Sequence, residues 1–189
     1  MTIYGPASPT AASNQPRGGT NWTNPSNILA EDGAFATVTG AGSSLELLVG
    51  DAFGALPAGA IVSNLLVEVK GKVNTGTAVM GCDFYDTSNN YVDSGSSATF
   101  DTTSAYQTLY NANPAVALDA KAIANTLRCA LYTNAVSKTW SIDHMRLTFT
   151  YTVTEAKSSS ENAAINVTDS PAVEQQEAKS SSENAAINV

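Results

Sequence analysis

The chain has 189 residues, a formal net charge of −8 and a charged fraction of only 14%. Nine basic residues, scattered along so acidic a chain, argue against a nucleic-acid partner, because phosphate binding needs clustered lysine and arginine. One histidine and two cysteines do not suffice for a zinc site built of nitrogen and sulfur ligands, and we expect no cofactor.

The first segment, residues 1–30, is rich in Pro, Gly, Asn, Ser and Thr and predicts an extended N-terminal arm with little regular structure. Trp22 is its first anchor, expected to tuck against the edge of the following domain. The start lacks the basic and apolar regions of a signal peptide, and no apolar run is long enough to cross a membrane. We therefore expect synthesis in the cytoplasm without export, and no membrane partner.

Residues 31–154 alternate between apolar and polar side chains, which is typical of half-buried strands. In MRLTFTYTV, Leu147, Phe149 and Tyr151 point one way, whereas Thr148 and Thr150 point the other. Further strands are predicted in FATVTG, SLELLVG, LLVEVKGKV, AVMGCDFYD, NYVDSG, YQTLYNA and TLRCALYTN. About eight short strands with regular turns predict an all-β protein, an antiparallel β-sandwich and in particular a jelly roll.

Two local signals interrupt the strands. Asn89 and Asn90 favour a tight hairpin turn, because asparagine tolerates positive φ. The passage LDAKAIANTL predicts a single helical turn capped by Asp119.

The stretch DTSNNYVDSG resembles a calcium loop, but Tyr91 replaces the required glycine and Ser97 replaces the bidentate glutamate. A hairpin turn is therefore the simpler interpretation.

Cys82 and Cys129 each lie on the apolar side of an alternating stretch. The sequence therefore predicts two small buried thiols. A cross-strand disulfide is the alternative, less expected where synthesis takes place in a reducing compartment.

Catalytic signals are few, and we expect no enzyme. The only histidine, His144, is expected at a surface or edge position and not as a general base. Asp83 and Asp93 flank the predicted hairpin and would serve a glycosidase only if they faced each other across a cleft. Both are expected to face solvent, where a carboxyl keeps its ordinary acidity.

Large aromatic side chains are the remaining candidate contacts on the sandwich surface. Tyr85 and Tyr132 fall on the polar side of their strands, Trp140 is predicted in a loop, and Trp22 lies in the arm. Exposed aromatics bind glycans or neighbouring proteins, and the sequence does not separate these two uses.

Residues 155–189 form an acidic, low-complexity tail in which the phrase EAKSSSENAAINV occurs twice. Ile165 and Val167, and again Ile187 and Val189, alternate as an added edge strand would. Two copies fit two equivalent docking sites on a partner. Neutral duplication in an unordered tail is the other reading.

Several short motifs between residues 21 and 153 resemble a β-sandwich domain of bacteriophage virion proteins. They are a Trp-Asn-Pro opening, an Asp-Gly start of the first strand, a Pro-x-Gly loop before a long strand, and an Ile-Asp pair before the last strand. The matching residues are Trp22, Asn24, Pro25, Asp32, Gly33, Ala36, Pro57, Gly59, Ile61, Val67, Val69, Ile142, Asp143 and Tyr151. The resemblance implies a structural role in the virion, in head decoration, neck or tail fibre, and brings no catalytic residues.

Two functions follow as expectations. The first is a virion protein that decorates or cements a capsid, attached by its arms to the major capsid protein or other virion proteins, in many copies or as a homo-oligomer. The second is a tail-fibre or adhesin module that binds host-surface glycans.

Overall fold

A computed structural model describes residues 1–15, 20–40, 46–114, 116–133 and 137–154, and for residues 46 and 47 the backbone alone. These residues form one 3-10 helix (Pro25–Ile28), one α-helix, α1 (Val116–Ile123), and ten strands. The strands are β1 (Thr2–Ala7), β2 (Ala11–Asn14), β3 (Ala36–Thr39), β4 (Glu46–Asp51), β5 (Ala60–Val73), β6 (Ala78–Tyr85), β7 (Tyr91–Phe100), β8 (Ala105–Ala112), β9 (Arg128–Thr133) and β10 (Thr139–Val153).

The strands form two sheets whose pairings are all antiparallel. The first sheet has the order β1-β10-β5-β8, with β3 also beside β10, and the second has the order β2-β4-β9-β6-β7. From β3 onward each connection changes sheet, except for the β6–β7 hairpin. The predicted all-β sandwich is confirmed, and the jelly roll stays a prediction.

The core lies between the two sheets and follows the predicted alternation. Leu147 and Phe149 of β10 pair in register with Val67 and Leu65 of β5, and all four side chains are buried. Burying each such side chain contributes about 1.5–3 kcal/mol relative to leaving it in water. The long central pair β5–β10 therefore contributes much of the core of the first sheet.

The N-terminal segment is built into the sandwich, so the prediction of an irregular arm over residues 1–30 is wrong for its two strands. Thr2 of β1 lies opposite Tyr151, and Ala11 of β2 lies opposite Asp51. Both strands are at sheet edges, where pairing depends on backbone hydrogen bonds and needs little apolar patterning. Trp22 is buried, which agrees with its predicted role as an anchor.

The helix differs from its prediction. It begins at Val116 and runs for eight residues, so Asp119 lies inside its first turn and does not cap it. Its carboxylate instead accepts a 3.0 Å hydrogen bond from the backbone N–H of Val62. Asp119 thus joins the helix to the start of β5. The helix is too short and not apolar enough to cross a membrane; over the part of the chain that the structure describes, no helix meets that requirement.

The two cysteines are buried and unbonded, as predicted. In the register of β6 and β9, Cys82 lies opposite Leu131 and Cys129 opposite Phe84, so the thiols are diagonal neighbours. The neighbouring Cys82 thiol and burial both raise the pKa of Cys129 well above its usual range. A thiol held protonated in this way is inert, so these residues act as core side chains.

The chain divides into two units, Met1–Thr154 and Glu155–Val189. The second unit lies outside the described residues. The docking role of its repeats therefore stays a prediction, which concerns Ile165, Val167, Ile187 and Val189.

Candidate functional site

The outer face of the second sheet is shaped by strand β6. Cys82 and Phe84 point into the core, so the alternating positions Gly81, Asp83 and Tyr85 point away from it. We call the outward surface formed by Asp83, Tyr85, Tyr91 and Tyr132 the tyrosine face.

Tyr132 of β9 extends over the strand beside it. It is opposite Gly81, and a Cβ atom at Gly81 would collide with the end of its ring. The absence of a side chain at Gly81 therefore gives the ring its place on the sheet. The side chain is half-buried, and burial, with a smaller effect of Asp83, raises the pKa of Tyr132.

Tyr91 and Tyr85 form an aromatic pair across the β6–β7 hairpin. They are opposite in register, with ring centroids 6.0 Å apart and ring planes at 83°. This edge-to-face arrangement is favourable for aromatic pairs. Tyr85 is only 7% exposed because it packs with Val49 and Ala130 in a small outer cluster, whereas Tyr91 is 56% exposed.

The turn that joins β6 to β7 is fixed by Asp86. Its carboxylate accepts hydrogen bonds from the backbone N–H groups of Ser88 and Asn90 and from the Asn90 side chain. These bonds, those to Asn90 first, lower the pKa of Asp86 to about 2. Asn89 has φ 63°, the left-handed conformation that the sequence predicts there. The hairpin-turn interpretation of this stretch is confirmed.

The outer face of the first sheet carries a different arrangement around His144. The Tyr106 hydroxyl donates to Glu31 (2.8 Å) and lies 2.7 Å from Nδ1 of His144. The Ser8 hydroxyl lies 2.7 Å from Nε2 of the same ring. Since the Tyr106 proton is used on Glu31, the ring donates from Nδ1 and accepts from Ser8 at Nε2. We call this chain of hydrogen bonds the histidine network.

His144 is buried in mid-strand, so its predicted surface or edge position is wrong. Burial is the main cause of the lowered pKa of His144. Burial and the bond to Glu31 raise the pKa of Tyr106 to about 12. Both groups are therefore uncharged near neutral pH, and the network links the N-terminal segment and the loop at Glu31 to the sheet.

Charged residues extend the histidine network on the same face. Lys70 contacts Glu31 at 2.8 Å and the buried carboxylate of Asp143 at 3.0 Å. Asp143 also accepts a 2.9 Å hydrogen bond from the backbone N–H of Gly33. Arg146 is stacked 3.9 Å above the Tyr106 ring. These polar groups bind one another, which is the arrangement of a structural cluster.

Of the four aromatic residues predicted as surface contacts, two are in the interior. Trp140 is completely buried within β10, against Phe100 at 5.5 Å between ring centroids, so the predicted loop position is wrong. Trp22 is buried beneath β2, where Asn14 binds its backbone N–H and carbonyl. Tyr85 and Tyr132 do face outward, but Tyr85 is only 7% exposed and Tyr132 is half-buried.

Sequence reasoning did not single out Tyr91 as an aromatic contact. The signal for it was available: Tyr91 opens the strand after the Asn-Asn turn, and hairpin pairing brings that position close to Tyr85. Neighbouring aromatics on one sheet face are therefore visible once the turn is placed.

No protein-family model matches this chain. No curated protein matches it either. Among solved structures, the carbohydrate-binding module TmCBM61 in complex with β-1,4-galactotriose is 12% identical with a TM-score of 0.41, over 75% of this chain and 90% of that one. The enzymatically active domain of tailspike protein 4 of bacteriophage CBA120 is 10% identical with a TM-score of 0.41, over 75% of this chain and 20% of that one. Likeness at this level assigns no function to the chain.

Proposed function

We propose that this chain is a glycan-binding module of the tail-fibre or adhesin type and that the tyrosine face is its binding surface. The observation that carries the proposal is the placement of two tyrosines, exposed Tyr91 and half-buried Tyr132, on the strands either side of Asp83. Accessible aromatics grouped on one face of a sheet mark an interaction surface.

The chemistry of this face suits a sugar. A pyranose ring presents C–H groups on its flat faces, which pack on an aromatic ring through dispersion and burial of apolar surface. Its hydroxyl groups lie around the edge and donate to carboxylates in charge-assisted hydrogen bonds. Tyr91 and Tyr132 provide the flat surfaces, and half-buried Asp83 provides the acceptor between them.

The spacing of the two tyrosine positions on the sheet favours an oligosaccharide. Tyr132 is opposite Gly81, and Tyr91 is opposite Tyr85, four residues further along β6. Four residues of strand span about 13 Å along β6, and β9 and β7 lie on its two sides. These backbone positions are further apart than the width of one sugar ring, which favours a ligand of linked sugars.

The proposal is for binding without hydrolysis. A glycosidase needs two carboxyl groups facing each other across the bond to be cleaved. Asp83 lies on the tyrosine face, but Asp93 acts on Tyr110, whose pKa it raises in addition to the larger effect of burial. Tyr110 stacks edge-on against Phe84 in the core, at 5.4 Å between centroids. Asp83 and Asp93 therefore interact with different groups and are not proposed as a catalytic pair.

The virion as the place of this module rests on the phage-like motifs of the sequence and is part of the proposal. Capsid decoration stays a prediction without a structural observation in its favour. Of the two arms that would attach the protein to a capsid, the N-terminal one contains β1 and β2 of the sandwich. The C-terminal one lies outside the described residues.

A glycan array followed by titration calorimetry tests the proposal. The wild type is expected to bind neutral oligosaccharides, and Tyr91→Ala and Tyr132→Ala are each expected to weaken binding about tenfold or more, as anchors of an interface do. Ile61→Ala is the matched control, because Ile61 is an exposed apolar residue on the first sheet. An array without bound glycans, or tyrosine variants that bind like the control, would refute the proposal.

A further inference from the structure

A pocket of about 360 Å³ opens at one end of the tyrosine face. It is formed where β4, β6 and β9 meet their flanking segments, and the residues that line it include Asp51, Thr87, Asn125, Thr126 and Arg128. The volume falls in the range of pockets that hold small ligands.

The pocket and the tyrosine face are continuous. Arg128 is the first residue of β9 and lies opposite both Tyr85 of β6 and Asp51 of β4. Ala130, two residues after Arg128, packs with Tyr85 on the outer side of the sheet, so by alternation Arg128 also points outward. The pocket therefore begins next to the pair of Tyr85 and Tyr91.

Beyond this point the polypeptide leaves the sheet and bounds the pocket. Thr87 follows the end of β6, and Asn125 and Thr126 precede the start of β9. Asn125 has φ 54°, and its side-chain oxygen accepts a 2.8 Å hydrogen bond from the backbone N–H of Gly54, which fixes this segment. A sugar chain that runs along the strands from Tyr132 ends against these residues.

The lining favours an uncharged, hydroxyl-bearing group. Thr87 and Thr126 contribute hydroxyls, Asn125 an amide and Asp51 a carboxylate. Arg128 is the one cationic group among the described lining residues, and its guanidinium is bonded to Asp51, Asn89 and Ser13. Because that charge is already paired, an acidic sugar would gain no free cation here.

We infer that this pocket binds the terminal sugar of a neutral oligosaccharide whose following units lie on the tyrosine face. The inference rests on the proposed function and adds to it a chain end as the recognised element. It assigns separate tasks to the two surfaces: the tyrosines hold the chain, and the pocket selects its terminus.

Calorimetry with neutral hexose oligosaccharides (cello-, malto-, manno- and galacto- series) and their parent polysaccharides tests the inference. Binding to chain ends gives a fixed number of protein molecules per polysaccharide chain, whatever its length. Binding to internal stretches gives a number that grows with length. The expected result is the fixed number.

Variants separate the two surfaces. Thr87→Leu removes a hydroxyl and crowds the pocket, and about tenfold weaker oligosaccharide binding is expected. Ser88→Leu is the matched control, in the same exposed turn but outside the pocket lining. Melting temperatures check that both variants are folded.

Three outcomes are distinguishable. Weaker binding by both Thr87→Leu and Tyr132→Ala, with the fixed stoichiometry, supports the inference. Loss with Tyr132→Ala alone, or a stoichiometry that grows with chain length, overturns the pocket and leaves the tyrosine face as a binding surface. If the wild type binds no member of the panel, the proposed function and the inference fall together.

Discussion

The two outer faces of the sandwich carry similar residue types in different surroundings. On the first sheet, half-buried Tyr106 bonds to Glu31 and His144, and Arg146 covers its ring. On the second sheet, Tyr91 is 56% exposed and Tyr132 is half-buried over its neighbouring strand. Polar and aromatic groups that bind one another stabilise a fold, whereas accessible rings beside a carboxylate remain open to a ligand.

The surroundings of His144, the only histidine, are not those of a general base. Ser8 and His144 have the contact distance of a nucleophile and its base. The remaining ring nitrogen is taken by Tyr106, and the ring is buried beneath the segments it holds. The histidine network therefore attaches the N-terminal segment to the first sheet.

The largest expected effect is at Asp143, in the charged extension of the histidine network. Asp143→Ala removes a buried carboxylate and leaves the Gly33 N–H and Lys70 without it, which we expect to lower the free energy of unfolding by about 3 kcal/mol. Urea denaturation measures the change. Asp143→Asn, which keeps an acceptor for Gly33, should lose less; a loss below about 1 kcal/mol in the alanine variant would contradict the structural role.

The next effect is at Gly81, beneath the ring of Tyr132. Gly81→Ala places a methyl group against the end of that ring and displaces it, so oligosaccharide affinity should fall about tenfold. Stability should change by less than about 1 kcal/mol, because alanine is at least as favourable as glycine in a strand and the ring end can move. Val79→Ala, on the same strand, is the control. Unchanged affinity would mean that Tyr132 takes no part in binding.

A smaller effect concerns pH, and it isolates His144 because the chain has no other histidine. Burial lowers its pKa in the folded state, so below about pH 6.5 the unfolded chain binds a proton that the folded chain resists. Stability therefore falls as pH decreases through this window. The hydrogen bond with Lys70 is the main cause of the lowered pKa of Glu31. Protonation of Glu31 therefore affects stability only at lower pH, below about 4.3.

Melting temperatures between about pH 5 and pH 7 measure this slope. The wild type should become less stable toward pH 5, and His144→Gln should have a flatter profile. Parallel profiles for the two proteins would show that His144 titrates as it does in the unfolded chain.

The smallest effect is expected at the Tyr91 hydroxyl, which contacts the Ser94 side chain at the surface. Tyr91→Phe keeps the ring and should change stability by no more than about 0.5 kcal/mol. Oligosaccharide affinity should stay within about twofold, because stacking needs the ring and not the hydroxyl. A large loss of affinity would assign recognition to the hydroxyl instead.

The sequence predicts the central strands well, because both sheets bury one face. Leu147 and Phe149 alternate with threonines, and the structure buries the first pair and leaves the threonines on the outer side. The strands β1 and β2 were missed because an edge strand needs only backbone partners, which leave no pattern in the residues. Trp140 was missed because β10 begins six residues before the stretch whose alternation is clear.

The candidate site is half visible in the sequence. Parity places Tyr85 and Tyr132 on an outer face, but it does not say that Val49 and Ala130 surround Tyr85 and leave it buried. Those neighbours come from other strands, and their register depends on the whole sheet. For the same reason the sequence around His144 does not predict its burial or its hydrogen bonds, because its partners come from other segments of the chain.

The most direct test of the account maps an oligosaccharide onto the two faces by NMR. Backbone and tyrosine-ring resonances of the full chain are followed while neutral hexose oligosaccharides are added. The account predicts shifts at Asp83, Tyr91 and Tyr132 and none at Tyr106 or His144. Shifts confined to the histidine network, or no shifts with any of these sugars, would contradict it.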